Sequence, residues 1–224
     1  MITELSSADG YLYKQMKQEI LQLIDILGTV SFAASGVFAA MRKKLDLLGV
    51  LVISFITSIG GGTIRDMLIG DTPVNWMRGL NYPIIIFITA VVTILFRNII
   101  KNFENTLIVF DALGLGFFTV VGIQKGILFG LHPGICIMLG MITGSFGGVI
   151  RDVLLGSIPL IFRKGNIYAT ASIAGGLVFF GLTAAKVQTE WIDVISISFI
   201  FLVRLLAIRY NISLPSVAHK DDSE

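Results

Sequence analysis

Charge is scarce in this sequence. Only 14% of its 224 residues are Asp, Glu, Lys or Arg, 54% are hydrophobic, and the mean hydropathy is +0.85. A soluble domain carries about a quarter charged residues, so the natural solvent of this chain is lipid. The formal net charge is +2 and the basic residues are scattered, which excludes a nucleic-acid partner held through a row of phosphates. Cysteine is almost absent. Cys136 stands alone in an apolar run, excluding an intrachain disulfide and a cysteine-ligated metal and leaving a small buried hydrophobe. His132, directly before Pro133, reads as a helix-start residue. No set of nucleophile, base and orienting residue and no phosphate-binding loop is present, so neither catalysis nor a cofactor is expected. The first twenty residues are polar, unlike a cleavable signal, and Met1 to Glu19 read as a mobile tail.

What is present is a series of long apolar runs. They extend over about Leu21 to Met41, Leu47 to Met67, Pro83 to Ile100, Leu107 to Leu128, Pro133 to Leu155, Ile167 to Ala185 and Trp191 to Ala207, each of the length that crosses a bilayer. The connections are short and punctuated by Arg42-Lys43-Lys44, Asp71-Thr72-Pro73, Lys101-Asn102, His132-Pro133, Arg163-Lys164-Gly165 and Lys186, with no room for a soluble domain. The expected fold is an all-α integral membrane protein of seven transmembrane helices. Its divisions are an extramembrane tail (1–20), a three-helix unit (21–106), a second three-helix unit (107–189), a seventh helix (190–210) and a C-terminal tail (211–224). Lys14, Lys17, Arg65, Arg78, Lys125 and Lys186 fall on one side of such a fold. The other eleven basic residues, Arg42, Lys43, Lys44, Arg97, Lys101, Arg151, Arg163, Lys164, Arg204, Arg209 and Lys220, fall on the opposite side. Positive-inside asymmetry then puts the N-terminus outside and the C-terminus in the cytoplasm.

The chain also resembles itself. At an offset of 86, Asp25 falls on Asp111, Gly28 on Gly114, Phe32 on Phe118 and Gly36 on Gly122. The match continues with Ile56-Thr57 on Ile142-Thr143, Gly61-Gly62 on Gly147-Gly148, Ile64-Arg65-Asp66 on Ile150-Arg151-Asp152, Gly70 on Gly156, Pro73 on Pro159 and Tyr82 on Tyr168. This is a duplication. Each unit holds three spans, an odd number, so the second copy enters the membrane from the opposite side. Inverted repeats of this kind place a functional site near the bilayer midplane, between the copies.

The motif Gly60-Gly61-Gly62-Thr63-Ile64-Arg65-Asp66 and its counterpart Gly144-Ser145-Phe146-Gly147-Gly148-Val149-Ile150-Arg151-Asp152 carry the strongest chemical signal. Adjacent glycines lower the cost of non-helical dihedrals and permit a kink that frees carbonyl oxygens, which then need a cation or water as partner. Close helix packing of small residues is the competing reading. Recurrence in both copies, each followed by Arg-Asp, favours a kinked functional site, with Thr57 and Thr143 beside it.

Ionised groups in lipid must pair or face water. Asp25 lies at the same predicted end as Arg65, and Asp111 at the same end as Arg151, so two symmetric ion-pair clusters with Asp66 and Asp152 are expected. They would gate a central path or staple helices together. Lys125 breaks the symmetry, since its counterpart is Ala39; it is either directional or a snorkelling side chain, and Arg204 is read as snorkelling. Arg42-Lys43-Lys44 and Arg163-Lys164 face the cytoplasm, where topology signalling is a sufficient account of them and contact with anionic headgroups is the alternative.

The paired glycine-rich Arg-Asp motifs and the 86-residue duplication, with Gly122-Ile123-Gln124-Lys125-Gly126, resemble the trimeric intracellular cation (TRIC) channel family and its bacterial relatives, also labelled glycine transporter domain proteins. The resemblance covers about Leu21 to Ala207. It implies a homotrimer of seven-helix protomers, each with its own pore, potassium as the main permeant ion, and pore kinks at Gly60, Gly61, Gly62, Gly147 and Gly148. The second copy departs from a triple glycine at Phe146. The residues themselves leave two functions open in a prokaryotic-type plasma membrane. One is a potassium-permeable channel; the other is a carrier for a small amino acid such as glycine, because a helix N-terminus holds a carboxylate as readily as carbonyls hold a cation.

Overall fold

Seven helices are joined by short turns in the computed structural model, which describes residues 7–99, 103–163, 167–210 and 212. They are α1 Ser7–Arg42, α2 Leu47–Ile69, α3 Asn81–Leu95, α4 Phe103–Leu128, α5 Pro133–Leu154, α6 Ala169–Ala184 and α7 Thr189–Arg209. Among the described residues there is no strand, and six segments are long and apolar enough to cross a membrane. The remaining helix, α6, has 16 residues, about 24 Å at the helical rise, and so falls short of the full hydrocarbon thickness. The fold is an all-helical membrane protein, as expected.

Local sequence accounts for the boundaries. Asp46 opens α2 by accepting the Gly49 N–H at 2.8 Å, satisfying a donor that the first helical turn leaves free. Gly70 closes it in the left-handed region at φ 71°, and its counterpart Gly156, at φ 61°, follows the end of α5; glycine adopts this region without Cβ strain. His132 starts α5, its Nδ1 accepting the Gly134 N–H at 3.2 Å with Pro133 in the first turn, the role its place before proline implied.

The N-terminal segment differs from its expected form. From Ser7 onward it is the beginning of α1, not a separate tail; only Gly10 interrupts a stretch of ordinary helix formers there, and an established helix extends at little cost. Residues 1–6 lie outside the described residues, as do Lys101, Lys164, Lys220 and all of the C-terminal tail except Ile212.

The packing follows the duplication. Helices α1 and α4 pack on each other in the centre, α2 crosses α5, α3 packs on α1 and α2, and α6 packs on α5 and α4. Helix α3 is the most peripheral of the spans. Helix α7 has no counterpart and packs against α4 and α6.

Candidate functional site

The two glycine motifs meet each other. A Cβ on Gly61 would lie 2.0 Å from the Thr143 carbonyl oxygen, and one on Gly147 would lie 2.4 Å from the Thr57 carbonyl oxygen. Residues 57 and 143, and 61 and 147, are repeat partners, so this crossing of α2 and α5 is one contact made twice about a pseudo-two-fold axis. A second reciprocal pair lies beside it. Phe32 packs on Gly114, where a Cβ would come within 2.1 Å, and Phe118 packs on Gly28, where the distance is 3.1 Å. The two rings stand 5.2 Å apart at 54°.

Both glycine motifs lie inside continuous helices, Leu47–Ile69 and Pro133–Leu154, so the glycines end neither helix. Gly61 and Gly147 serve an approach of backbone to backbone too close for any side chain. Thr57 and Thr143, both fully buried, each donate their hydroxyl to their own helix at 2.6 Å, to Ile53 O and Leu139 O. Gly60 faces Ile150, whereas a Cβ on Gly62 would meet only Arg65 Nη2, at 3.7 Å.

Polar cavities open on both sides of this seam. At the Asp25 end, a cavity of about 410 Å³ is lined by Gln18, Gln22, Asp25, Arg65, Tyr82 and Lys125 among others. A smaller space of about 30 Å³ continues inward past Ser58, Gly62 and Trp76 to Phe118. At the Asp111 end, about 160 Å³ is bounded by Arg42, Lys43, Glu104, Arg151, Asp152 and Arg163 among others.

Both Arg-Asp dipeptides are built alike. Arg65 Nε donates to Asp66 Oδ1 and Arg151 Nε to Asp152 Oδ1, each at 2.8 Å. The other carboxylate oxygen takes a backbone N–H from the following turn, Asn75 at 2.9 Å onto Asp66 and Leu160 at 3.1 Å onto Asp152. Each aspartate thus ties a helix end to its loop. The remaining guanidinium nitrogens differ. Arg151 Nη1 donates to Asp111 Oδ1 at 2.7 Å and to Ser35 Oγ at 2.6 Å, joining α5, α4 and α1. Arg65 Nη1 is buried and has no hydrogen-bond partner, and no Arg65–Asp25 ion pair forms within 4.0 Å.

The expected pair of symmetric clusters is therefore corrected to one closed and one open cluster, for three reasons. Tyr82 Oη and Asn75 Nδ2, the latter at 3.2 Å, donate to Asp25 Oδ2 and hold it in place. Val121 stands at the repeat position of Ser35 and offers no hydroxyl. Arg204 of α7, fully buried, brings Nη2 to 4.0 Å from Asp111 Oδ2 and lies 4.5 Å from the Tyr168 ring centroid. Arg204 does not snorkel; it adds a second cation beside Asp111, balancing Arg151, Asp111 and Asp152 as a buried set of four charges.

Lys125 reaches across the repeat boundary, its Nζ 2.5 Å from Asp71 Oδ2, while Arg78 binds the other oxygen. The hydrogen bond from Lys125, against a smaller upward push from burial and aided by Arg78, holds the Asp71 carboxyl below its usual range. Sequence reading overlooked Tyr82, Asn75, Ser35, Phe32 and Phe118 as site residues. The repeat identities Tyr82/Tyr168 and Phe32/Phe118 were the available signal. Asn75 and Ser35, which have no identical repeat partner, carried none.

The family model described as glycine transporter matches this chain twice, over residues 22–98 and 108–184. A UPF0126 membrane protein of Vibrio cholerae serotype O1 is 42% identical over 200 residues, covering 89% of this chain and 83% of the relative. The UPF0126 inner membrane protein YadS of Escherichia coli K12 is 38% identical, with 87% and 95% covered. Among solved structures, the TRIC trimeric intracellular cation channel orthologue from Rhodobacter sphaeroides is 34% identical with a TM-score of 0.81, covering 86% of this chain and 99% of its own. A prokaryotic TRIC channel in 0.5 M KCl is 32% identical with the same TM-score, covering 88% and 100%.

Proposed function

The chain belongs to the family of the solved trimeric intracellular cation channels and carries two matches to the model described as glycine transporter, and on that premise we propose that it is a potassium-permeable cation channel. One pore runs through each protomer of a homotrimer, between the inverted units 21–106 and 107–189. The observation that carries this reading is the pair of polar cavities on opposite sides of the reciprocal α2–α5 crossing, with a fold shared with solved cation channels at about a third identity. A permeant cation passes Gly60, Gly61, Gly62 and Thr57 on α2, and Gly147, Gly148 and Thr143 on α5. Small separations of this seam, lined by main-chain carbonyls, open or close the path. Asp25, Arg65, Asp66 and Lys125 gate one end; Asp111, Arg151 and Asp152 gate the other. The protein sits in the cell membrane with its N-terminus outside and its C-terminus in the cytoplasm, its basic segments Arg42-Lys43-Lys44 and Arg163-Lys164 at the lipid headgroups.

A carrier for a small amino acid such as glycine is the second reading, favoured by one feature: the two end clusters stand in opposite states, closed at Asp111 and open at Asp25, as a gate pair does in alternating access. Flux in proteoliposomes separates the two. Single-channel potassium currents that disappear when Gly61 is made bulky are the expected result. Saturable glycine uptake without such currents would overturn the channel.

A further inference from the structure

The second repeat is a template for what the first one lacks. The Nη1 atom of Arg151 is satisfied by one carboxylate oxygen, at 2.7 Å, and one hydroxyl, at 2.6 Å. The same atom of Arg65, in a side chain 1% exposed, has neither. A buried guanidinium N–H without an acceptor loses its hydration and gains nothing in return, so the position calls for an acceptor, water or ligand, that the chain itself does not supply. Asp25 is held away by Tyr82 and Asn75, and Val121 occupies the place of the hydroxyl.

Room for an external acceptor is adjacent. Arg65 lines both the cavity of about 410 Å³ at this end and the inner space of about 30 Å³. The corresponding space in the second copy is filled, since a Cβ on Gly148 would meet Tyr168 Oη at 2.9 Å and Asp111 Oδ1 at 3.3 Å, while its counterpart Gly62 has only Arg65 Nη2 nearby, at 3.7 Å.

We infer that Arg65 anchors a carboxylate-binding site in the Asp25-end cavity, where a small ligand's carboxylate takes the place on Nη1 that Asp111 takes on Arg151. The contact is a charge-assisted hydrogen bond to a buried guanidinium, the strong class of such bonds. Asp25, 3.2 Å from the Asn75 amide nitrogen, lines the same cavity and repels a bare carboxylate. A ligand that also carries an ammonium group converts that repulsion into a second pair. Sodium acetate and glycine thus share the binding chemistry and differ in this one respect. The site stands independently of conduction: a carboxylate lodged here obstructs a channel or loads a carrier.

The test is direct binding to purified full-length protein, read from Trp76 fluorescence and thermal stability, with acetate, glycine and methylammonium chloride titrated at ionic strength matched by sodium chloride. Trp76 is a local reporter: it borders the inner space, and its indole N–H donates to Thr63 Oγ1 at 3.1 Å. Saturable responses to acetate and glycine, but not to methylammonium, are expected; a response to glycine alone identifies a zwitterion as the carboxylate source. Arg65→Lys should weaken binding about tenfold or more, the scale of one hydrogen bond to a charged group. Tyr82→Phe is the second variant. It leaves Arg65 in place but releases Asp25 to occupy Nη1, and should also weaken binding. If neither carboxylate gives a saturable response above sodium chloride, or if binding survives both variants unchanged, Arg65 Nη1 is satisfied by water and the inference fails.

Discussion

Replacing Gly61 with alanine places a methyl carbon 2.0 Å from the Thr143 carbonyl oxygen. The methyl is fixed directly to the α2 backbone and the oxygen belongs to the α5 backbone, so neither can rotate away. Helices α2 and α5 must separate by about 1 Å before the contact becomes tolerable, a displacement that close-packed interiors resist. Overpacking of this kind costs about 3 kcal/mol at the upper end of the usual range, offset by about 1 kcal/mol because alanine is the better helix former. The net loss is about 2 kcal/mol. Gly62→Ala meets only Arg65 Nη2, at 3.7 Å, and keeps the propensity gain, so it should stabilise by up to about 1 kcal/mol. The two neighbours therefore differ by about 3 kcal/mol, or roughly 6–12 °C in Tm for a chain of this size. Thermal unfolding in detergent, followed by size-exclusion chromatography, reads the difference, and Gly147→Ala should behave like Gly61→Ala. Equal shifts at 61 and 62 would overturn this account, because the glycines would then matter for weakening the helix and not for closeness.

The other predictions concern the charged ends. Asp111→Asn leaves Arg151 and Arg204 buried without their shared carboxylate and should cost about 3–5 kcal/mol. Asp25→Asn breaks no close ion pair and keeps an acceptor oxygen for Tyr82 and Asn75, so it should cost less than Asp111→Asn and keep the fold; expression and melting of the two purified variants check this contrast. Ser35→Ala removes one bond to the Arg151 guanidinium and should lower stability by about 1.5–3 kcal/mol. Asp71 has a carboxyl pKa lowered in the folded protein, chiefly by Lys125. The stability it contributes is complete above the unfolded value of about 3.9 and disappears as pH falls through the lower folded value. The melting temperature of the native chain relative to Lys125→Met should therefore fall as pH drops below about 4, and a pH-independent difference would contradict this assignment.

Much of this architecture is legible in the sequence because lipid simplifies the rules. Backbone groups must be satisfied within each span, so apolar length alone marks the helices, and an offset of 86 that superposes Gly61 on Gly147 and Arg65 on Arg151 exposes the duplication. The helix start at His132 follows from the proline after it. What stayed hidden depends on which atoms meet across helices. Three adjacent glycines do not say which backbone they approach; the close crossing is made with Thr143 and Thr57 on the opposite helices. The extension of α1 back to Ser7 involves polar residues, for which apolar length gives no signal.

The departure from symmetry is the part with functional weight, and it traces to a few residues. An inverted duplication begins with two identical ends, and two identical gates would open and close alike. Here Ser35 against Val121 decides whether a guanidinium finds a hydroxyl, and α7, absent from the first copy, adds Arg204 beside Asp111 but nothing beside Asp25. Lys125, where the first copy has Ala39, clamps Asp71 at the open end. These differences place the tightly paired charges at one end and a roomy cavity with an unsatisfied guanidinium at the other. The two sides of the seam therefore present different chemistry, and the symmetry that the duplication alone would give is broken by α7 and three side chains.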